Sequence, residues 1–327
     1  MVRARTLITQ SATVLAVVFA VYAILLVLRL TGLSEVNFDR QQIANGIGVG
    51  AIYGSVALAL VLIYRSTDVV NFAQGEMAMF CTFISWSLST QLHMTFWLGF
   101  LVTLAIAALL GGAVQRVVIH PIENAPLLTI VIVTLGLFQV FNSGANFIWQ
   151  SQPKSFPTPF GNGAYHIFGA TIAKPYVGTL AIMFVVMGLV FAFFNYTKVG
   201  LASRAAAQNP VASRLVGVPV SWMLTIGWAL AAVVGAAAGM LVANILSLDP
   251  NMMIGVLLYS FAAAVLGGLD NPVGAVVGGF VVGIIQNVIV GADLVKGIPD
   301  PIAFLVIIVV LVIRPTGLLG RRTVTKV

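Results

Sequence analysis

Three polar residues stand close together in an otherwise apolar run: Asn71, Gln74 and Glu76 in VVNFAQGEMAMF. The two amides suit hydrogen bonding to a solute, and the carboxylate suits a proton or sodium ion. A carboxylate near the centre of a membrane span costs about 2.5 to 3.5 kcal/mol on insertion scales, so Glu76 should face protein or water rather than lipid. On a helix Asn71 and Gln74 are one turn apart and share a face, with Glu76 displaced around it. Two readings stay open: a polar lining on a solute path or gate, or interhelical hydrogen bonding with Glu76 carrying a proton.

The second stretch with chemical character is Lys198 to Pro219, KVGLASRAAAQNPVASRLVGVP, with three cations and no acid. Asn209 suits the cap of a helix opening at Pro210, and Gly217 and Pro219 supply a stop. That helix is about seven residues, or roughly 10 Å long. Val211 and Leu215 share a face, and Arg214 sits near the C-terminal end, where a cation suits the dipole. A helix this short is marginal alone in water. It rests either on lipid headgroups and flanking membrane helices or in a groove on a cytoplasmic partner.

Other chemistries are absent from the sequence. His93, His120 and His166 are scattered without ligand spacing, so no metal site is expected. Cys81 is the single cysteine and closes no disulfide within the chain. No Gly-Lys pair occurs, which excludes a phosphate-binding G-x-x-x-x-G-K loop, and H-E-x-x-H is missing. The LGGLD at Leu266–Asp270 has the wrong glycine spacing for a membrane aspartyl protease, so no enzyme activity is expected. No ring-forming filter segment marks a channel. An ion-coupled transporter acting alone, with Glu76 as its ion site, remains the alternative to an ATP-driven one.

These residues must be positioned by membrane helices. The chain has 327 residues, 60% of them hydrophobic and only 8% charged, with mean hydropathy +1.07. It reads as an all-α polytopic membrane protein in one transmembrane domain, too apolar for a nucleic-acid partner despite its net charge of +7. About ten spans are expected (eight to ten), at about 7–28, 43–63, 68–89, 95–118, 127–149, 176–196, 221–246, 254–269, 273–290 and 301–313, with a coupling loop at 198–219. The first is expected to be a retained helix rather than a cleaved signal. The pieces 254–269 and 273–290 are either complete spans or broken helices lining a cavity. The stretch from Gln150 to Lys174 reads as an irregular external loop.

Glycines mark close packing. Gly46, Gly50 and Gly54 form a doubled G-x-x-x-G, and Gly235/Gly239, Gly274/Gly278 and Gly279/Gly283 are further spaced pairs. Of the 16 Lys and Arg, 11 fall with the termini and the 198–219 loop when sides alternate, and 5 on the other side. The expected orientation therefore has both termini and that loop in the cytoplasm.

NFAQGEM at Asn71–Met77, RAAAQNPVASRLVGV at Arg204–Val218 and AAAVLGGLDNPVGAVVGG at Ala262–Gly279 carry a family resemblance. Over about residues 40–320 the chain resembles the membrane subunits of bacterial ABC importers for branched-chain amino acids, the shorter of their two permease types. Where that family usually shows histidine, this chain has Gln74. The resemblance implies a multi-pass protein of the bacterial inner membrane, with a homologous second permease, two cytoplasmic ATPases that bind the ATP, and an extracytoplasmic solute-binding protein. It implies no cofactor in this chain. Urea and short amides are solutes of related systems. By the same resemblance Arg204, Asn209, Pro210, Arg214 and Gly217 belong to a segment seated in an ATPase cleft, the arginines for contact and the others for shape.

Overall fold

A 28-residue helix, α1 (Arg40–Thr67), forms the axis of the molecule, with nearly nine-tenths of its most apolar stretch buried. The computed structural model describes residues 40–291 apart from positions 68, 124, 162, 168 and 169, together with scattered residues from 304 to 319. The expected first span, most of 301–313 and the basic C-terminal tail lie outside the described residues. From α1 the chain continues through α2 (Gln74–Thr90), α3 (Phe96–Ala113), α4 (Leu127–Trp149), α5 (Lys174–Tyr196), α6 (Lys198–Gln208), α7 (Pro210–Leu215), α8 (Val220–Leu246), α9 (Met252–Gly267) and α10 (Pro272–Gly291). A π-helical turn, Val114–Ile119, and a 3-10 turn, His120–Ile122, prolong α3. Among the described residues six of these segments are long and apolar enough to cross a membrane, and the protein is an all-α polytopic membrane protein.

The glycine spacing in α1 has a counterpart on α10. A Cβ added at Gly46 would stand 2.7 Å from Ile284 Cα, one at Gly50 2.8 Å from Phe280 Cα, and one at Gly54 3.0 Å from the Val276 carbonyl. On the facing side Gly279 and Gly283 lie against the backbone of Gly54 and Gly50. Two small-residue ridges thus meet directly, and backbone contact replaces side-chain packing. Gly274 and Gly278 occupy a different face of α10 and lie against the carbonyls of Gly267 and Ala263 on α9. Gly235 and Gly239 on α8 do the same for α2, lying under the Gln74 side chain, Ala78 and Thr82.

Helices α1, α8, α9 and α10 with part of α2 make the interior, while α3, α4 and α5 form the periphery. Peripheral apolar residues such as Leu109, Leu128, Phe147 and Leu189 are exposed, as a lipid-facing surface requires. The pieces expected at 254–269 and 273–290 are antiparallel neighbours joined at Gly268, whose φ of +103° suits glycine, with Asn271 Oδ1 accepting from the Val273 and Gly274 N–H groups. At 1.5 Å per residue α10 reaches about 30 Å and α9 only about 24 Å, so α9 falls short of a hydrocarbon core.

Three expectations change. The third helix opens at Gln74 rather than near 68, because Asn71 Oδ1 accepts from the Ala73 N–H at 3.0 Å and turns the chain before the helix starts. The 150–174 stretch is not wholly irregular: β1 (Ala164–Ile167) pairs antiparallel with β2 (Ala170–Ala173), and Gln41 ties the hairpin to α1 by exchanging two hydrogen bonds with the Thr171 backbone. The basic stretch folds as two helices, α6 and α7, where one was expected.

Candidate functional site

From Val69 to Ala73 the chain is non-helical, yet Val69, Asn71 and Ala73 are buried. Gln74 Nε2 donates to the Ala231 carbonyl at 2.9 Å, about 17 Å along α8 from Val220 and near the middle of that 27-residue helix. Helix α2 therefore starts at mid-depth of the bundle. Irregular backbone at that depth persists only where protein covers it or water reaches it. Here protein covers it: Gly75 lies against Leu257 and the Met253 carbonyl of α9, and Gly235 against Gln74.

Asn71, Gln74 and Glu76 each have no exposed surface. The structure brings them to one helix start, although Asn71 precedes the helix instead of sharing a face with Gln74. Glu76 lies in the first turn, where a carboxylate meets the positive end of the helix dipole. Its Oε2 accepts from Asn142 Nδ2 of α4 at 3.2 Å, while Oε1 is buried without a hydrogen-bond partner. Gln74 Oε1 is also buried and unpaired. Two buried acceptors lacking donors at one helix start leave a polar locus with unused hydrogen-bonding capacity.

Asn142 joins the elements around it. The same Nδ2 reaches the Pro250 carbonyl at 3.0 Å and Asn251 Oδ1 at 3.3 Å, so one amide links α2, α4 and the start of α9. Asn142 belongs to a polar stripe on α4, Gln139, Asn142, Ser143 and Asn146, in which Gln139 donates to Ser143 Oγ and Asn146 Nδ2 to Asn142 Oδ1. The spacing i, i+3, i+4, i+7 places all four on one face. Gln139 and Ser143 are exposed within a mainly apolar helix. An exposed polar face at that depth opposes water or protein, not hydrocarbon. In the sequence the stripe shows only as four polar residues at helical spacing, with nothing that names their partners.

The basic segment lies at the end of the bundle where α5 stops and α8 begins. Thr197 Oγ1 caps α6 by accepting from the Gly200 N–H at 2.9 Å, and Asn209 Oδ1 caps α7 by accepting from the Ala212 N–H at 2.9 Å. Pro210 takes the first turn of α7, and Gly217 follows the helix with φ of +84°. Val211, Leu215 and Val216 are 69%, 84% and 79% exposed, beside an exposed Arg214. Arg204 differs: it is half-buried, and its Nη1 donates to Asn195 Oδ1 of α5 at 3.3 Å. Arg204 thus faces the end of α5, whereas Arg214 stands on the exposed side of α7. Among the described residues no cluster of three or more His, Cys, Asp or Glu could hold a metal ion.

The family described as branched-chain amino acid transport system, permease component, matches residues 42–314. The chain is 29% identical over 302 residues to the high-affinity branched-chain amino acid transport system permease protein LivH of Escherichia coli K12, a match covering 88% of this chain and 97% of LivH. It is 30% identical over 312 residues to the permease protein BraD of Pseudomonas aeruginosa, covering 90% of this chain and 99% of BraD. A shorter match, 32% over 157 residues, links it to the xylose/arabinose import permease protein XylH of Sulfolobus acidocaldarius, covering 46% of this chain and 41% of XylH. No solved structure matches. With the match spanning all ten described helices, a multi-pass membrane protein of this architecture belongs to the family of branched-chain amino acid transport permeases.

Proposed function

We propose that the chain is the permease subunit of an ABC importer that passes branched-chain amino acids across the bacterial inner membrane, driven by ATPase subunits docked on α6–α7. The names of its relatives support the solute class. The observation that carries the coupling assignment is the cap-defined α7, which holds Val211, Leu215 and Val216 exposed beside Arg214. Apolar side chains displayed on a short rigid helix outside the bundle are what a partner's groove would bury. Asn209, Pro210 and Gly217 set the shape of this element.

The Lys and Arg distribution supports a cytoplasmic location for the termini and α6–α7. A homologous second permease, two ATPases and an extracytoplasmic binding protein complete the proposed assembly. In it the solute passes along the polar stripe of α4, with Asn71, Gln74 and Glu76 behind it. The exposed Gln139 and Ser143 support this route, because the pathway then runs between two permeases and each supplies one wall.

Pull-down of ATPase subunits from the native membrane tests this reading. Val211→Asp combined with Leu215→Asp should eliminate ATPase recovery while the chain still inserts, and Arg214→Glu should weaken it. Full recovery with the double variant would refute docking at α7.

A further inference from the structure

A cleft of about 510 Å³ opens beside α6, between α1, α5 and α10. Its walls are apolar, formed by Leu58 and Leu62 of α1, Phe184, Met187 and Phe191 of α5 and Val276 of α10. Its polar lining gathers at one end: Arg65 in the last turn of α1, Asn195 at the end of α5, and Arg204 and Gln208 on α6. No acidic side chain lines it among the described residues. Arg204 reaches Asn195 through Nη1, but its Nε is buried with no hydrogen-bond partner. Among the described residues no carboxylate lines the cleft to meet this guanidinium.

The arrangement is amphipathic along its length, with cations at the level of the basic end and a greasy slot running into the bundle. A soluble anion would leave the slot unfilled, and an apolar protein segment would leave the guanidinium unanswered. A phospholipid satisfies both, because its phosphate meets the Arg204 guanidinium and an acyl chain fills the slot. Basic pockets between transmembrane helices at the cytoplasmic surface are suited to anionic headgroups in this way.

We propose that this cleft binds an anionic phospholipid of the leaflet on the basic side, its phosphate held by Arg204 and one acyl chain packed between α1, α5 and α10. The choice of leaflet rests on the membrane orientation given above. The site gives Arg204 a role distinct from that of Arg214: it anchors the root of α6 to the lipid surface, while α7 remains free to dock. Anionic lipid then stiffens the connection between α6 and the transmembrane helices.

The test uses the purified full-length chain, equilibrated in mild detergent with equal amounts of phosphatidylglycerol and phosphatidylcholine and analysed by native mass spectrometry. The wild-type chain should retain phosphatidylglycerol in preference. Arg204→Gln should lower that retention about fivefold, which corresponds to about 1 kcal/mol for one cation near the surface. Arg204→Lys should keep most of it, separating charge from folding. Gly188 lines the cleft and a Cβ there would meet nothing within 4 Å, so Gly188→Phe should fill the slot and reduce retention of both lipids.

Equal retention of the two lipids by the wild type, or no change with Arg204→Gln, would overturn the proposal. So would displacement of bound lipid by inorganic phosphate alone, which would mark a phosphate site. Unchanged lipid retention by Gly188→Phe would overturn it as well, because the slot would then hold no acyl chain. The readout needs no ATPase, so failure here leaves docking at α7 standing, and failure of ATPase recovery leaves the lipid site standing.

Discussion

Asn142 is the residue on which the mid-depth cluster depends, since its single amide serves Glu76, Pro250 and Asn251. Replacing it with Leu leaves the Glu76 carboxylate without its hydrogen-bond donor. The expected cost is about 1–3 kcal/mol, read as a lowered thermal midpoint of the detergent-solubilised chain. Glu76→Gln keeps size and hydrogen-bonding shape, so that midpoint should barely move while leucine uptake by the assembled transporter falls. Unchanged uptake with Glu76→Gln would make this carboxylate structural and remove it from the path. Glu76 was legible in the sequence because a carboxylate in an apolar run has few explanations. Asn142 was not, because amides are common in membrane helices and its partners come from residues 66 and 108 positions away.

Among the elements, the contact of α1 with α10 is the most constrained, because glycines on both helices bring backbone against backbone. Gly50→Leu should cost about 1–3 kcal/mol or prevent assembly, since Phe280 Cα opposite cannot rotate away as a flexible side chain would. Thermal unfolding and membrane yield measure it, and wild-type values for both would place this face against lipid. The G-x-x-x-G spacing announced a close contact, but sequence spacing carries no address for the partner helix. The cap residues of α7 were readable for a local reason: Asn209, Pro210 and Gly217 act within one turn of themselves. The start of α2 is not legible from hydropathy, which continues through Val69–Ala73, whereas the Asn71 side chain, a short-range competitor for backbone hydrogen bonds, holds a turn there. The hairpin in the 150–174 stretch was hidden because its register depends partly on Gln41, 130 residues away from Thr171.

At the scale of the molecule, a glycine-packed interior of α1, α8, α9 and α10 stands beside a peripheral layer of α3, α4 and α5, of which α3 is seated on α8 through Gly111. In the proposed mechanism the interior rocks against its neighbours, with the α4 stripe and the Glu76 cluster as the proposed path and α6–α7 as the proposed lever. The transmembrane character was legible in composition alone, since 60% hydrophobic and 8% charged residues admit little else. Which helices lie inside was not, because several spans are comparably apolar and only tertiary packing ranks them. The central claim is that the chain is a gate moved by separate ATPases through α6–α7. The most direct measurement is leucine uptake into proteoliposomes holding this chain with its second permease, ATPases and binding protein, compared with the chain alone under a proton or sodium gradient. The account predicts uptake only with the full set and ATP, lost with Val211→Asp/Leu215→Asp; accumulation by the chain alone on an ion gradient would contradict it.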